Sequence, residues 1–191
     1  MNTSDQLSQQ VRVLADRIAD SHVSAIAGLY DLTAQRLIRY ATTITRNQHD
    51  AEDAVQTSLL RVADQIDLLS TSQYPWSYLL RMVRNDALVI LRRKKRWSIV
   101  EYLTDLVTRR QVDQLEQEDT HRAVWSALRQ LPTEQSEVVV LKIWEEMTFQ
   151  QIGDVLDISS STAASRYRYA IEKLTTKLQT DATEEVTHEL P

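Results

Sequence analysis

The chain has 191 residues, of which 42% are hydrophobic, and carries a formal net charge of −5. It has no cysteine, which excludes a disulfide framework and thiolate metal sites. With only two glycines and three prolines it lacks the turn residues that repeated strands need, so we predict an all-α fold of one domain or two small ones.

The N-terminus shows no targeting signal. Residues 1–6 lack a basic segment followed by an apolar core, and no apolar run approaches the roughly 20 residues that span a bilayer. Residues before about Ser21 have helical character without a clear packing face. Because neither an export signal nor a membrane-spanning run is apparent, we expect a cytoplasmic protein without a membrane partner.

The first half of the chain is expected to fold as three helices. The first has apolar residues at helical spacing, namely Ile26, Tyr30, Leu37, Tyr40 or Ala41, and Ile44. After a turn at residues 46–49, Asp50 is predicted to cap the second helix, with Asp53 reciprocating from its first turn. The buried stripe of this helix is predicted to be Ala51, Ala54, Val55, Leu59, Val62 and Ile66. A polar loop follows at residues 67–74.

Pro75 suits the first turn of the third helix. One side of this helix is apolar, comprising Trp76, Leu79, Leu80, Val83, Ala87, Ile90 and Leu91. From Trp76 to Trp97 there are seven Lys or Arg against one Asp, including the run Arg92-Arg-Lys-Lys-Arg96. A helix that is apolar on one side and basic on the other is predicted to pack on its neighbours and to offer a stripe to phosphate.

Residues 98–119 have weak periodicity and mixed charge, which predicts a linker. A second domain is expected from about Thr120, with a break at Leu131-Pro132 and Thr133 as the next cap. Its predicted core positions are Val124, Trp125, Leu128, Val138, Val139, Val140, Leu141, Ile143 and Trp144. The acidic tail after Thr180 is expected to be disordered.

A helix-turn-helix is predicted between Phe149 and Ala170. The first helix would bury Phe149, Ile152, Val155 and Leu156, Asp157 and Ile158 would turn the chain, and Ser159 or Ser160 would cap the second helix. The apolar stripe of the second helix is Ala163, Tyr167, Ala170, Ile171, Leu174 and Leu178. Its opposite face, which includes Ser161, Ala164, Ser165, Arg168 and Glu172, suits a major groove.

Charge is distributed unevenly along the chain. Ser159 to Gln179 carries four Lys or Arg against one Glu, while acid is concentrated at Asp50 to Asp53, near residues 113–119 and in the tail. Two basic segments in an acidic chain suit a protein that binds DNA at chosen places and mostly with a larger partner.

The two halves together resemble the extracytoplasmic-function sigma factors, the two-domain promoter-specificity subunits of bacterial RNA polymerase. In the first half the resemblance rests on Asp50-Ala-Glu-Asp-Ala-Val-Gln56 and Pro75-Trp-Ser-Tyr-Leu-Leu-Arg-Met-Val-Arg-Asn85, followed by the basic run. In the second it rests on Ala127-Leu-Arg-Gln-Leu-Pro132, Met147-Thr-Phe-Gln-Gln-Ile-Gly153, and Ser165-Arg166 with Ala170.

The resemblance implies four segments: residues 21–97 as sigma region 2, 98–119 as a linker, 120–179 as sigma region 4 and 180–191 as an acidic tail. It implies core RNA polymerase and promoter DNA as partners and allows for an anti-sigma factor. The residues expected to dock on core polymerase are Asp50, Glu52, Asp53 and Gln56.

For the minus-10 element, the resemblance implies that the loop from Leu68 to Tyr74 forms a pocket for a flipped base. The expected minus-10 contacts are Tyr74, Arg81, Arg84, Asn85, Arg92, Arg93 and Lys95. Trp76 and Trp97 are candidates for stacking, although Trp76 lies on the apolar stripe and is better explained as core. The expected minus-35 contacts are Ser161, Thr162, Ala164, Ser165, Arg166, Arg168, Tyr169 and Lys173.

The sequence also departs from the family pattern. Val89 stands where the family commonly has Asp, Ser161 where it commonly has Gly, and Ala164 where it commonly has a basic residue. The minus-35 sequence that this protein recognises is therefore expected to differ from that of familiar members.

Other functions compete with this interpretation. A stand-alone helix-turn-helix regulator would bind a palindromic operator as a dimer, and an adaptor that mimics a sigma factor would have no reason to keep Arg166 and Arg168. An enzyme is disfavoured because no glycine-rich phosphate loop is present and the four histidines are scattered. We therefore expect no catalytic residues, no metal, no cofactor and no small-molecule substrate.

Overall fold

The computed structural model describes residues 3–19, 23–65, 67–101 and 119–188. All regular elements within these ranges are helices, as the sequence predicted. The chain forms two compact units, unit 1 from Met1 to Asp113 and unit 2 from Gln114 to Pro191. No helix in the described ranges is both long enough and apolar enough to cross a membrane.

Unit 1 contains α1 (Thr3–Ala19), α2 (Val23–Thr45), α3 (Gln48–Asp64), the short α4 (Asp67–Ser70) and α5 (Pro75–Glu101). Helix α1 packs against α2, α4 and α5. It buries Leu7, Val11 and Ala15, which recur four residues apart. The N-terminal segment therefore has the packing face that the sequence did not reveal.

Helix α3 begins earlier than predicted. Its cap is Asn47, whose side chain accepts a hydrogen bond of 3.0 Å from the backbone N–H of Asp50. Arg46 turns the chain with a left-handed backbone, φ 55°. The prediction that Asp50 caps this helix is wrong, because an amide oxygen three residues upstream already binds the free N–H.

Helices α3 and α5 are joined by polar contacts as well as by their apolar faces. Ser58 Oγ donates to Asp86 Oδ2 at 2.6 Å, and Arg61 Nη2 donates to Asp86 Oδ1 at 3.0 Å. Lys94 Nζ lies 2.7 Å from Asp50 Oδ2. Asp50, near the start of α3, meets Lys94, whereas Ser58, later in α3, meets Asp86, which comes earlier in α5. Helices α3 and α5 are therefore antiparallel.

The core of unit 1 confirms most of the predicted apolar stripes. Trp76 is fully buried, which confirms its assignment to the core. Tyr30 was predicted on the buried face of α2, but half of it is exposed to solvent. The fully buried large side chains of this unit are Leu37, Tyr40, Ile44, Leu69, Trp76, Leu79 and Leu80.

Unit 2 contains α6 (Asp119–Gln130), α7 (Thr133–Ile143), α8 (Phe149–Leu156) and α9 (Ser160–His188). The rings of Trp125 and Trp144 lie 5.1 Å apart and connect α6 to the end of α7. Thr133 was expected as a cap, but Pro132 occupies that position and no side chain caps the helix. Ile143, a predicted core residue, is 47% exposed.

The predicted linker and tail are only partly described. Helix α5 continues to Glu101, and residues 102–118, which make up most of the predicted linker, lie outside the described residues. Helix α9 continues to His188, whereas the sequence predicted disorder after Thr180. No Gly or Pro interrupts residues 160–188, so the backbone meets no helix breaker there.

Candidate functional site

The turn between α8 and α9 is tightly built. Thr148 and Gln151 form a reciprocal capping box at the start of α8, and Asp157 ends the helix in a left-handed conformation with φ 58°. A methyl group built on Gly153 would lie 2.6 Å from the carbonyl oxygen of Ile158. Gly153 is therefore required for the close approach of α8 to the chain that enters α9.

The first turn of α9 is held by hydroxyl groups. Ser159 Oγ accepts a hydrogen bond of 3.0 Å from the backbone N–H of Thr162, which confirms a serine cap at this position. The same oxygen lies 2.7 Å from Thr162 Oγ1 and 2.9 Å from Ser161 Oγ. These contacts fix the small polar side chains at the exposed beginning of the helix.

Helix α9 separates a buried face from an exposed one, as predicted. Ala163 and Ala170 are fully buried, and the ring of Tyr167 packs 5.7 Å from that of Phe149 on α8. Among the predicted minus-35 residues, Ala164 and Arg166 are half-buried. The others are exposed, namely Ser161, Thr162, Ser165, Arg168, Tyr169 and Lys173. The guanidinium carbon of Arg168 lies 5.2 Å from the centre of the Tyr169 ring.

Helix α5 presents a second polar face. Arg84 is half-buried, and the remaining predicted minus-10 residues are exposed, namely Tyr74, Arg81, Asn85, Arg92, Arg93 and Lys95. Arg81, Asn85, Arg92 and Lys95 share one side of the helix because their spacings are close to whole turns. The side chain of Trp97 lies outside the described residues.

The loop before α5 is held from both sides. Residues 67–70, which the sequence predicted as part of a polar loop, form α4, so the loop itself begins at Thr71. At its start, Thr71 N donates to Asp67 O of α4 at 3.1 Å and Ser72 N donates to Leu69 O of α4 at 3.2 Å. From α1, Arg12 Nη2 donates to Ser72 O at 2.6 Å and to Gln73 O at 2.8 Å. Sequence reasoning missed Arg12 because no local pattern connects it to a segment 60 residues away.

The four residues predicted to dock on core polymerase lie in different environments. Asp53 and Gln56 are exposed, and Glu52 is half-buried beside Gln48, whose Nε2 donates to Glu52 Oε1 at 2.9 Å. Asp50 is only 7% exposed and its carboxylate binds Lys94. Within the first turns of α3, the accessible acidic surface therefore consists of Glu52 and Asp53, whereas the Asp50 carboxylate is paired within the unit.

The same ion pair alters the interpretation of the basic run. Lys94 was counted with Arg92, Arg93, Lys95 and Arg96 as one cationic segment. Because its ammonium group lies 2.7 Å from the Asp50 carboxylate, Lys94 joins α5 to α3. Its neighbours Arg93 and Lys95 are exposed, so the cationic surface of α5 continues on either side of it.

Two family models match the chain. Sigma-70 region 2 matches residues 29–97, and sigma-70 region 4 matches residues 121–174. Together the matches cover more than half of the 191 residues. The first spans the docking and minus-10 candidates, and the second spans the helix-turn-helix.

Similar proteins include several named sigma factors. The RNA polymerase sigma-E factor of Streptomyces avermitilis is 28% identical over 144 residues, which cover 75% of this chain and 79% of the relative. The ECF RNA polymerase sigma factor SigL of Mycobacterium tuberculosis is 28% identical over 164 residues, covering 84% of this chain and 93% of the relative.

Two solved structures share the fold. The sigma factor RpoE from Bartonella quintana, in complex with the anti-sigma factor NepR, has a TM-score of 0.68 at 19% identity and covers 83% of this chain and 99% of that one. CnrH in complex with the cytosolic domain of CnrY has a TM-score of 0.63 at 21% identity and covers 90% of this chain and 98% of that one.

The region 2 and region 4 matches follow one another along the chain in the order of the two structural units, and the relatives extend across both. The chain therefore belongs to the sigma-70 family and is an RNA polymerase sigma factor of the extracytoplasmic-function type.

Proposed function

We propose that this sigma factor reads the minus-35 element with α9, opens the minus-10 element with residues 68–74 and α5, and docks on core polymerase through the exposed part of the α3 acidic surface. The observation that carries the proposal is the polar face of α9, which stays exposed on a helix-turn-helix whose turn is fixed by Gly153, Asp157 and Ser159. In this role the protein acts in the cytoplasm as an initiation factor and performs no catalysis of its own.

Arg168 is proposed to make the main base contact in the minus-35 element. It is exposed beyond two turns that carry small exposed residues, Ser161, Thr162 and Ser165, which allow the helix to approach base edges. The contact between Arg168 and the Tyr169 ring restricts the guanidinium to the exposed side of the helix. Arg166 is half-buried and is better placed for a phosphate than for a base.

Arg168→Ala is expected to weaken binding to the preferred minus-35 sequence, because a bidentate arginine contact with guanine contributes about 1–3 kcal/mol of discrimination. Arg166→Ala should weaken specific and random duplexes alike. Affinities of both variants, as holoenzymes, for matched and scrambled minus-35 duplexes provide the measurement. An equal factor of loss on both duplexes for both variants would contradict the assignment of the two faces.

Asn85 is proposed to contact the flipped base of the minus-10 element. It is exposed on the same side of α5 as Arg81, and α5 begins directly after the loop that ends at Tyr74. Removing a base from the stack costs a few kcal/mol, which a polar pocket beside cationic side chains offsets.

Asn85→Ala is expected to leave core binding intact and to reduce permanganate reactivity of minus-10 thymines in the polymerase complex. The reason is that the amide supplies contacts that exist only once the base has left the duplex. A promoter with a pre-melted minus-10 segment serves as control, and transcription from it should recover. Full opening of an unmodified duplex by the variant would contradict the proposal that Asn85 belongs to a pocket for the flipped base.

An anti-sigma factor is proposed as a further partner. Both structural relatives are complexes with a second protein: the anti-sigma factor NepR for RpoE and the cytosolic domain of CnrY for CnrH. A protein that covers the exposed polar surfaces of α3, α5 or α9 would compete with core polymerase or promoter DNA for the same side chains.

The function as a whole is tested by run-off transcription with core polymerase on genomic fragments, followed by alignment of the start sites. We expect a shared pair of promoter elements that appears only when the protein is present. The free protein should bind the same duplexes poorly, because its net charge of −5 opposes DNA. Tight sequence-specific binding by the free protein as a dimer would favour the stand-alone regulator instead.

A further inference from the structure

One side chain of the N-terminal helix fastens the loop that precedes α5. Arg12 Nη2 lies 2.6 Å from Ser72 O and 2.8 Å from Gln73 O. The second distance lies within the usual range for an N–H···O hydrogen bond and the first lies just below it. Both bonds join a cationic donor to a backbone carbonyl, and such bonds are stronger than those between neutral groups. Arg12 thus connects two segments that are 60 residues apart in sequence.

The helix that carries Arg12 is itself firmly seated. Leu7, Val11 and Ala15 are buried on its inner face, with Val11 and Ala15 fully covered. Arg12 follows Val11 directly, so its backbone is fixed by an immediate core neighbour. The loop is therefore attached to a helix that is packed into the core of unit 1.

The attachment continues toward the exposed end of the loop. Gln73, whose carbonyl accepts from Arg12, has its Nε2 3.4 Å from Tyr74 Oη. Tyr74 is 43% exposed and is followed at once by Pro75, the first residue of α5. The contacts form a series from α1 through Gln73 to a ring that faces solvent beside the proposed pocket.

We propose that Arg12 is a positioning residue for promoter opening, which presets the conformation of residues 72–74 so that the minus-10 base meets a formed pocket. The inference rests on the proposed function of this loop. Arg12 also lies outside the region 2 match, which begins at residue 29. In this role Arg12 acts through the loop backbone and does not contact DNA.

The physical reason is preorganisation. A loop that samples several conformations must be ordered when the flipped base enters, and that entropic cost reduces the free energy available for opening. Two hydrogen bonds from a fixed helix remove part of this cost before DNA arrives. The benefit concerns opening alone, because neither core docking nor minus-35 recognition uses this loop.

The test compares Arg12→Ala, Arg12→Lys and the control Arg17→Ala, which removes another exposed arginine of the same helix. Each full-length variant is assembled with core polymerase. Binding of the holoenzyme to a single-stranded minus-10 oligonucleotide and permanganate reactivity are measured. Arg12→Ala should lower both by about fivefold, the net effect of one ordinary hydrogen bond, because the two Arg12 bonds are exposed to solvent. Arg12→Lys, which keeps the charge without the planar fork, should be intermediate, and Arg17→Ala unchanged.

Four further readouts separate a positioning role from other roles. Amide hydrogen exchange at residues 72–74 should accelerate in Arg12→Ala, while core affinity and the unfolding temperature of unit 1 stay close to those of the parent. A parallel loss of core affinity and stability would overturn the inference in favour of a merely structural role. A decreased salt dependence of oligonucleotide binding would indicate a lost phosphate contact and would also overturn it.

The inference and the proposed function fail in distinguishable ways. If Tyr74→Ala and Asn85→Ala reduce opening but Arg12→Ala does not, the pocket stands and the positioning role is lost. If none of the three variants affects opening, the loop is not the minus-10 pocket and the proposed function of this segment falls with the inference.

Discussion

Gly153→Ala is expected to destabilise unit 2 by about 2 kcal/mol and to abolish the helix-turn-helix geometry on which minus-35 recognition depends. The added methyl group would lie 2.6 Å from Ile158 O and 3.4 Å from Ser160 N. Both are backbone atoms at the turn and the start of α9, so neither moves without displacing the recognition helix.

The magnitude follows from two opposing effects. Overpacking in a region that cannot relax costs about 3 kcal/mol at the upper end of its usual range. Alanine recovers about 1 kcal/mol because it is a better helix former than glycine within α8. The clash is the larger effect because its partners are backbone atoms rather than the end of a flexible side chain.

Gly28→Ala is the matched control. Gly28 also lies within a helix, α2, but a methyl group there would meet only Leu14 Cδ2, at 3.3 Å. A leucine methyl shifts at little cost, so this change should be neutral or slightly stabilising through helix propensity. Thermal unfolding of both variants, with minus-35 duplex binding by each holoenzyme, provides the comparison. Equal melting temperatures for the two variants would show that the turn relaxes around the methyl group.

The helix-turn-helix was predictable from sequence because its determinants are local. The apolar spacing of α8 and α9, the Asp157 turn and the Ser159 cap all act within a few residues. The closeness of Gly153 to Ile158 O was not predictable from spacing, because it depends on the angle at which the chain leaves α8.

The packing of α1 escaped prediction for a different reason. Its buried face comprises Ser4, Leu7, Ser8, Val11 and Ala15. Two serines and an alanine on the inner side dilute the apolar periodicity, so no stripe stands out from the sequence. Burial of small hydroxyl residues depends on how closely the neighbouring helices approach, which is a tertiary property.

The polar contacts between α3 and α5 were also beyond sequence reasoning. Asp50 and Lys94 are 44 residues apart, and Ser58 and Asp86 are 28 apart. Which residues meet depends on the register of two antiparallel helices, and a shift of one turn would pair different side chains. The motif Asp50 to Asp53 was correctly located on a helix, but its members could not be sorted into internal and exposed ones.

Asp53→Arg is expected to weaken binding to core polymerase by about 100-fold, because reversing an exposed charge at an electrostatically complementary interface juxtaposes like charges. Asp53 is exposed on α3 one turn before the exposed Gln56. The loss should shrink as salt increases, since the interaction is between solvent-accessible charges. Core affinity at several salt concentrations is the measurement, with promoter opening lost in proportion.

Asp50→Asn and Asp53→Asn separate the two carboxylates by the same isosteric change. Asp50 is 7% exposed, whereas its partner Lys94 retains solvent access, so the ion pair between them is intermediate in burial. Neutralising Asp50 should therefore lower the stability of unit 1 by about 1–2 kcal/mol. Its core affinity should change little once the protein is folded. Asp53→Asn should show the reverse, with unchanged melting and weaker docking. If Asp50→Asn weakened docking at unchanged stability, Asp50 would have to leave Lys94 to meet the clamp, and the acidic surface would include it after all.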